Sequence, residues 1–365
     1  MKIGILTLHR ANNYGAVLQC YALQQVLAEV GHDVWIIDYR QPDTELSYTP
    51  ISKERIHRYL SNPVALAKDI LLTPLYYINA KKFDQFRTKY LQCTKSFDRP
   101  AMMPQNFDVY MIGSDQLWSI QCMGGHVEPV FFGNFPHPTN SRIMGYAISA
   151  NEDSLNSIGV EQLKRYAANF DCISVREAGI ALWLKANNVC DTRVDVDPTL
   201  LLNPTEWIKM ASKQRPCNQR YLLSYYLLPK QKKVAKIFAR SHGLKYIELG
   251  HKAHSPADFL TWVKHADCVV GGSFHITVFS ILFTRQFYII QKDSSFDIRS
   301  ASLLKSVGLA NHFIPISELP QADITTSVNY DEVFASLMQL KKKSVELYIK
   351  FMMHKEYVII KRKIS

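Results

Sequence analysis

The chain has 365 residues, of which 47% are hydrophobic and 12% aromatic, enough for more than one buried core and too many for an intrinsically disordered protein. Its 43 Lys and Arg outnumber its 32 Asp and Glu, which gives a formal net charge of +11. Residues 53–99 hold ten basic and four acidic side chains, and residues 341–365 hold eight and two. The rest of the chain is nearly neutral, which argues against nucleic-acid binding over the whole surface and favours local contact with an anionic partner.

The seven cysteines are scattered and include no C-x-x-C pair, so neither a zinc site nor a disulfide framework is expected, and a reducing cytoplasm fits best. The first residues run directly into a strand-like segment, so we expect no signal peptide. The longest apolar stretch without Asp, Glu, Lys or Arg, residues 268–284, is too short to span a membrane. We therefore predict a cytoplasmic protein that contacts a membrane at most at its inner surface.

The first segments predict a β-α-β unit. We expect a buried strand over residues 3–8, a helix over 16–30 that ends at Gly31, and a second strand over 34–38. Such a unit predicts a parallel sheet. Residues 52–92 are basic, rich in Leu and Tyr and helical in pattern, and we interpret them as an insertion.

Strands and helices alternate again after the insertion. The expected strands are residues 108–112, 143–149, 172–175, 221–227, 245–249, 268–270 and 287–290. The expected helices are residues 230–241, a segment capped by Ser255, residues 274–283, and one or two terminal helices over 331–363.

This order of elements predicts an α/β fold with two Rossmann-like domains that face a cleft. The first domain would cover residues 1–195 and include the insertion, and the second would cover residues 205–330. The terminal helices over 331–365 would return to the first domain or lie on a membrane surface. Ligands of open α/β sheets bind beyond the carboxyl ends of the strands, so candidate site residues are expected there.

The clearest candidate site is the segment from Gly271 to His275, where a buried strand ends and a helix begins at once. Gly272 allows close backbone approach, and Ser273 can cap the helix and bind an anion beside the free N–H groups of the helix start. His275 lies in the first turn, where its ring can reach the cleft. A capped helix with a packed histidine explains the same pattern.

Two arginines follow predicted strands. Arg176 comes directly after strand 172–175, and we expect it at the cleft rim, where its guanidinium could bind a phosphate or carboxylate. An ion pair with Glu177 or another nearby acid is the alternative. Arg299 follows the last strand of the second domain and is by default a surface arginine.

Polar side chains also follow two strands of the first domain. Asn12, Asn13 and Tyr14 are residue types that contact sugars, although a turn that caps the next helix is equally compatible with them. Ser114 and Asp115 form a similar loop, in which Asp115 could act as a general base or cap a turn. The glycine fingerprints of dinucleotide-binding and P-loop enzymes are absent.

Together these segments resemble the polysaccharide pyruvyl transferase family. The similar segments run in order along the chain, at residues 1–7, 12–19, 112–118, 173–177, 197–201, 255–260 and 273–275. The resemblance implies a glycosyltransferase-B-like fold and a cyclic pyruvate ketal as product. Phosphoenolpyruvate would be the donor, and the acceptor would be a sugar of a capsule or exopolysaccharide, or of a polyprenyl-diphosphate-linked oligosaccharide.

The resemblance also implies donor binding by Arg176 and His275, with Arg299 as a further basic residue. The chain departs from many relatives at Ser273, where they carry Arg, and at Ile276, where they carry a small residue. No metal-ligand spacing is visible, so we expect no metal and no cofactor other than the phosphoenolpyruvate co-substrate.

A division of roles is expected from these residues and the resemblance taken together. Arg176, Arg299 and the helix start at Gly272 and Ser273 would hold the donor, and His275 would protonate it or neutralise the leaving phosphate. Asp115 or Glu177 would take the hydroxyl proton, and Asn12, Asn13, Tyr14, Ser114 and Asp115 would contact the acceptor.

Two other functions remain compatible with the sequence. One is a glycosyltransferase of the same architecture that uses a sugar nucleotide, and the other is a glycan-binding relative without catalysis. The basic segments 53–99 and 341–365 would suit an anionic lipid surface, although a terminal helix that braces the first domain explains the second segment as well.

Overall fold

A computed structural model describes residues 1–48, 63–250, 252–292, 298–325 and 328–353, with side chains omitted at 46–47, 63–69 and 346–353. It contains two parallel sheets, one in each half of the chain. The six strands of the first sheet run in the spatial order β2-β1-β3-β4-β5-β6, with bounds β1 Lys2–Leu6, β2 Asp33–Ile36, β3 Val109–Asp115, β4 Arg142–Ile148, β5 Cys172–Val175 and β6 Arg193–Val194. We call the part of the chain around this sheet the N-terminal unit.

The C-terminal unit is built on the second sheet. Its five strands run in the order β11-β10-β9-β7-β8, with bounds β7 Tyr221–Tyr225, β8 Lys245–Glu248, β9 Cys268–Gly271, β10 Phe287–Ile290 and β11 Phe313–Ile314. Both sheets bury apolar side chains on both faces, as parallel sheets in α/β proteins do. The predicted α/β fold with two parallel sheets is confirmed.

Helices cover these sheets. In the N-terminal unit they are α1 Tyr14–Glu29, α2 Pro42–Tyr48, α3 Pro63–Tyr90, α4 Glu152–Ile158, α5 Val160–Ala167 and α6 Ala178–Ala186. Two short helices, α7 Pro198–Leu201 and α8 Pro204–Met210, join the units. The C-terminal unit carries α9 Pro229–Ser241, α10 Pro256–His265, α11 Phe274–Leu282, α12 Ile298–Ser306 and α13 Tyr330–Met353.

Most predicted elements are present with ends shifted by a few residues, but strand β3 is longer than expected. It continues past Ile112 to Asp115, because Gly113 and Asp115 still pair with strand β4. Ser114 is fully buried within this extension. Strands β6 and β11 have two residues each, too few for a hydrophobic pattern to reveal them.

The insertion and the tail both contact the rest of the fold. Helix α3 accounts for most of the predicted insertion, and residues 52–62 lie outside the described part. In helix α13, the Ser344 hydroxyl accepts the Val196 amide at 3.1 Å, and Val345 packs beside Leu201. The tail therefore returns to the N-terminal unit as far as it is described; residues 354–365 of the predicted tail lie beyond it.

One hydrophobic cluster joins the two units. It includes Tyr14 and Leu18 of α1, Phe83 of α3, and Phe259 and Phe279 of the C-terminal unit. Tyr14 is at the centre, since its ring stacks on Phe83 with centroids 5.3 Å apart and on Phe259 at 4.7 Å. The units therefore meet through a buried apolar interface next to the cleft.

Candidate functional site

A cavity of about 360 Å³ lies where the carboxyl ends of the two sheets face each other. The loops after β1 and β3 line it from one side and the loops after β7 and β9 from the other. In each sheet these are the strands between which the chain order reverses, which is where α/β sheets bind ligands. Seven residues singled out in the sequence line this cavity: Asn13, Tyr14, Asp115, Gly272, Ser273, His275 and Arg299.

The start of helix α11 forms one end of the cavity. Ser273 is its N-cap, and the hydroxyl of Ser273 accepts the Ile276 amide at 3.4 Å. A Cβ atom on Gly272 would lie 2.8 Å from the carbonyl oxygen of Tyr226, so only glycine lets these two loops approach so closely. The other N–H groups of this first turn have no partners within the helix, which makes the helix start suitable for an anion.

His275 bridges the two units. Its imidazole lies against the first turn of α1, where a Cβ atom on Gly15 would be only 2.0 Å from Nδ1. On the other side, Nε2 is 3.6 Å from a carboxylate oxygen of Asp197, which is an ion-pair distance and too long for a hydrogen bond. Nε2 is buried without a hydrogen-bond partner among the described residues. The ring is therefore held between the first turn of α1 and the carboxylate of Asp197.

Asp197 is a functional candidate that the sequence analysis did not single out. Its carboxylate is fully buried, caps α7 by accepting the Thr199 amide at 3.0 Å, and forms an ion pair with Arg176. Burial acts to raise the pKa of Asp197, but the charges of His275 and Arg176 and the Thr199 hydroxyl hold it well below its usual value. The sequence analysis used residues 197–201 only as one of the segments that resemble the family, and a buried ion pair cannot be recognised from such a segment.

The expected position of Arg176 at the cleft rim is wrong. Its amide donates to the carbonyl of Ile148, and the residue is only 9% exposed. Its guanidinium contacts Asp197 and lies 3.3 Å from Glu177, the ion-pair alternative that the sequence left open. Nη2 of Arg176 is buried without a hydrogen-bond partner in the described part of the chain.

Glu177 is likewise removed from the cavity lining. It is 5% exposed, and its Oε1 accepts the Ser149 hydroxyl at 2.6 Å. The role of hydroxyl base suggested for Glu177 does not fit this position, because its carboxylate faces Arg176 and Ser149 rather than the cavity.

Arg299 lies in the first turn of α12 and lines the cavity, so the default assignment as a surface arginine is also wrong. Its guanidinium lies 6.0 Å from the ring centroid of Phe274, and that of Arg176 lies 4.9 Å from the same ring. Burial and then the neighbouring charge of Arg176 lower the pKa of Arg299. Arg299 thus places positive charge at the end of the cavity formed by α11, whereas Asp197 and Glu177 compensate the charge of Arg176.

Several residues expected to contact an acceptor are engaged elsewhere. Asn12 accepts a hydrogen bond from Arg87 at 3.0 Å, and the Ser114 hydroxyl donates to the carbonyl of Ala147 at 2.8 Å. Neither residue lines the cavity. Asn12 and Ser114 therefore hold the loops in place, and their contact with an acceptor stays an untested prediction.

The other acceptor candidates do reach the cavity. Asn13 caps α1 by accepting the Ala16 amide at 3.2 Å, and the ring of Tyr14 is stacked on Phe83 and Phe259 rather than open to a sugar. Asp115 lines the cavity, with one carboxylate oxygen accepting the Gln116 amide at 2.9 Å. Asp115 is therefore the carboxylate of the N-terminal unit that is placed to meet a ligand.

The sequence analysis missed further lining residues. These are Thr44, Tyr48, Gln116, Gln121, Cys122, Tyr225 and Tyr226. Tyr226 is 66% exposed with a positive φ of 60°, and Lys292 Nζ lies 3.9 Å from its ring centroid and donates to the Gly272 carbonyl at 2.8 Å. Both Tyr226 and Lys292 follow strand ends, which is the signal that could have marked them.

The arrangement can bind a small anion and move a proton. Arg299, Lys292 and the start of α11 bring positive charge to the site, and Asp115 and several aromatic and amide side chains also line it. Within the described residues, no group of three His, Cys, Asp or Glu side chains could hold a metal ion. None of the helices that the structure describes is both long and apolar enough to cross a bilayer.

Comparisons with known proteins fit this geometry. A model of the family described as polysaccharide pyruvyl transferase matches residues 13–294. No protein of curated function matches the chain in sequence. Among solved structures, a UDP-N-acetylglucosamine 2-epimerase is similar over 97% of this chain and 97% of its own, with 8% identity and a TM-score of 0.51. A glycosyltransferase from a Streptomyces species is similar over 95% and 96%, with 10% identity and a TM-score of 0.41. The glycosyltransferase-B-like fold expected from the sequence is confirmed.

Proposed function

The chain belongs to the polysaccharide pyruvyl transferase family, and from that premise we propose that it transfers pyruvate from phosphoenolpyruvate to two hydroxyls of one sugar. The sugar would belong to a surface polysaccharide or its lipid-linked repeat, and the products would be a cyclic ketal and phosphate. The observation that carries this proposal is the convergence of Arg299, the start of α11 and His275 on one end of the cavity between the two units.

Phosphoenolpyruvate carries a phosphate and a carboxylate, so its binding site needs more than one cationic partner. Arg299 offers a planar fork of donors that suits either group, and the N–H groups at the start of α11 suit the phosphate. Arg176 lies outside the cavity lining and is paired with Asp197 and Glu177, so it supports the site by packing on Phe274 and by holding Asp197 next to His275. This division of work assigns direct contact to Arg299 and indirect support to Arg176.

In this reaction the donor gains one proton and the two sugar hydroxyls each lose one. The methylene carbon of the donor gains one proton to become a methyl group, the adjacent carbon is attacked by the first hydroxyl, and the bond from that carbon to the phosphate oxygen breaks. The second hydroxyl then closes the ring, and its proton leaves with the phosphate. Because both hydroxyls belong to one bound sugar, the second attack is intramolecular, an advantage of several kcal/mol.

Two side chains are placed for these transfers. His275 is at the cationic end beside Asp197, so we assign it the proton delivered to the donor, either at the methylene carbon or at the departing phosphate. Asp115 lines the same cavity from the N-terminal unit, and we assign it the proton taken from the attacking hydroxyl. Glu177, which is buried away from the cavity, takes no part in this assignment.

The test is release of inorganic phosphate from phosphoenolpyruvate by the purified full chain, with a surface-glycan fraction and its lipid-linked precursors as acceptor. We expect release that depends on the acceptor, together with a pyruvate ketal in the mass spectrum of the glycan. His275→Gln should lower the rate by about 100-fold or more, since general acid–base catalysis contributes that much.

Two results would contradict the proposal. Transfer of sugar from a sugar nucleotide, without phosphate release from phosphoenolpyruvate, would assign the chain to glycosyl transfer. Glycan binding without any turnover would assign it to glycan recognition.

A further inference from the structure

Helix α3 exposes an apolar face in its first half. Ile70, Leu71, Tyr77 and Ile78 are 63%, 79%, 56% and 54% exposed, and Pro74 between them is exposed as well. Residues at these spacings, one, four, seven and eight positions from Ile70, lie on one side of a helix. We call these five residues the α3 face.

Other exposed apolar side chains in the described part of the chain do not form such a group on one helix. Leu182 on α6, Ile237 on α9 and Met338 on α13 are 68%, 65% and 71% exposed, each on a different helix. Single exposed apolar residues are normal on a protein surface, whereas a contiguous apolar patch marks an interaction site. The α3 face is such a contiguous apolar patch.

The other half of α3 is fixed to the body of the protein. Phe83 and Phe86 are buried, and Lys82 forms an ion pair with Asp258 of the C-terminal unit at 3.1 Å. Phe83 stacks on Tyr14, which lines the cavity. Ile78 precedes Phe83 by five residues, or about 8 Å along the helix axis, so the α3 face begins close to the cavity wall.

The charge of this region indicates what covers the α3 face. Residues 53–99 carry ten Lys and Arg against four Asp and Glu, and Lys81 is exposed one turn after Ile78 on the same side of the helix. Lys81 places positive charge beside the α3 face, where it attracts anionic lipid headgroups and repels a second copy of the same face. Interfacial helices combine these two properties, apolar side chains at the acyl boundary and basic ones at the headgroups.

We propose that the α3 face docks the protein on an anionic lipid bilayer. Ile70, Leu71, Tyr77 and Ile78 enter the boundary between headgroups and acyl chains, and Lys81 contacts the lipid phosphates. This inference goes beyond the proposed function and does not depend on it, because a bilayer surface is recognised by the same side chains whatever reaction the cavity performs. If both hold, the docked face brings the cavity near a lipid-linked acceptor.

The test is co-sedimentation of the full chain with vesicles of phosphatidylcholine alone or mixed with phosphatidylglycerol. We expect binding to the mixed vesicles at low salt, and weaker binding at about 0.5 M salt, where the Debye length is only a few ångströms. Leu71→Glu combined with Ile78→Glu should weaken binding at least tenfold, because two apolar side chains no longer enter the bilayer. Leu182→Glu, an equally exposed leucine on α6, is the matched control and should bind like the unmodified chain.

A second variant, Lys81→Glu, and a second measurement, the oligomeric state in solution, complete the test. Lys81→Glu changes only an exposed side chain on the same side of the helix and should also weaken binding at low salt. Equal binding by the unmodified chain and both α3 variants, or no binding of the unmodified chain to the mixed vesicles, would overturn the proposal. A dimer in solution that the double variant converts to a monomer, without vesicle binding, would assign the α3 face to a second copy of the chain instead. None of these readouts needs catalysis, so failure here is distinguishable from failure of the proposed function.

Discussion

The imidazole of His275 touches the backbone of Gly15, a residue of the other unit. The contact leaves no room for a methyl group, since a Cβ atom there would lie 2.0 Å from Nδ1. Gly15 is not in a left-handed backbone conformation, so its importance comes from this contact and not from the freedom of its φ angle. The position of the imidazole therefore depends on a residue that carries no chemistry of its own.

We predict that Gly15→Ala displaces His275 and lowers the rate of phosphate release by about 100-fold, the typical effect of a misplacement near 1 Å. The measurement is acceptor-dependent phosphate release, with circular dichroism to verify folding. Gly179→Ala is the matched control, because Gly179 is also helical and a Cβ atom there meets nothing within 4 Å. That control should keep full activity and gain up to about 1 kcal/mol of stability. Unchanged activity in the Gly15 variant would show that the contact does not position His275.

At the level of single residues, the sequence revealed local hydrogen bonding but not side-chain burial. The caps formed by Ser273 and Asn13 were predictable, because a cap depends only on the following three residues. The positions of Arg176 and Glu177 were not, because they depend on which strands become neighbours. Asp197 was overlooked for the same reason, since its partners Arg176 and His275 lie far away in the chain.

At the level of elements, helix α7 matters because its N-cap is Asp197. The same carboxylate that starts this helix also holds Arg176 and faces His275. Asparagine is as good an N-cap residue as aspartate, so Asp197→Asn retains the start of the helix and removes only the negative charge. The variant therefore separates the structural from the electrostatic role of this position.

We predict that Asp197→Asn destabilises the protein by about 1.5–3 kcal/mol at pH 7, because the buried guanidinium of Arg176 loses one of its two carboxylate partners and keeps only Glu177. The folded-state pKa of Asp197 is lowered, so the carboxylate stabilises the native state fully above its unfolded pKa of about 3.9 and less as the pH falls further. The stability difference between the two proteins should therefore shrink below about pH 4. Urea unfolding monitored across this pH range measures it, and a difference that stays constant down to pH 3 would contradict this assignment.

The hydrophobic pattern predicted the ends of apolar strands correctly, but it did not predict the ends of strands that are polar or short. Strand β5 and strand β10 have the predicted bounds, since each is a run of four mostly apolar residues. Strand β3 carries on through Gly113 and Ser114, whose polarity suggested a loop. Parallel pairing with β4 nevertheless buries these two residues. This pairing depends on the neighbouring strand, so it could not be predicted from the segment alone.

At the level of the whole molecule, the two units share one apolar cluster. Tyr14 and Phe83 of the N-terminal unit pack against Phe259 of the C-terminal unit, and helix α13 packs on both units. Interfaces between independent domains are more polar than this and allow relative motion. The architecture of two sheets and a cleft was predictable from the alternation of elements, but the aromatic interface was not, because Tyr14 was interpreted as a sugar contact.

We predict that the chain unfolds in one cooperative transition rather than two. Tyr14→Ala should lower the stability of both units together, by about 3–5 kcal/mol as for other large aromatic truncations in a core. Differential scanning calorimetry of the two proteins measures this. Two resolved transitions in the unmodified chain, or a shift of only one of them in the variant, would show that the units are energetically independent.

The contact between Gly15 and His275 constrains how this fold can be recombined. Consider a chimaera whose N-terminal unit comes from one homologue and whose C-terminal unit comes from another. Gly15, Arg176 and Asp197 then come from the first homologue, and His275 comes from the second. Such a hybrid would fold around the same sheets but would be active only if the two parents agree at these four positions. A chimaera made to change acceptor specificity must therefore retain Gly15, Arg176, Asp197 and His275 together.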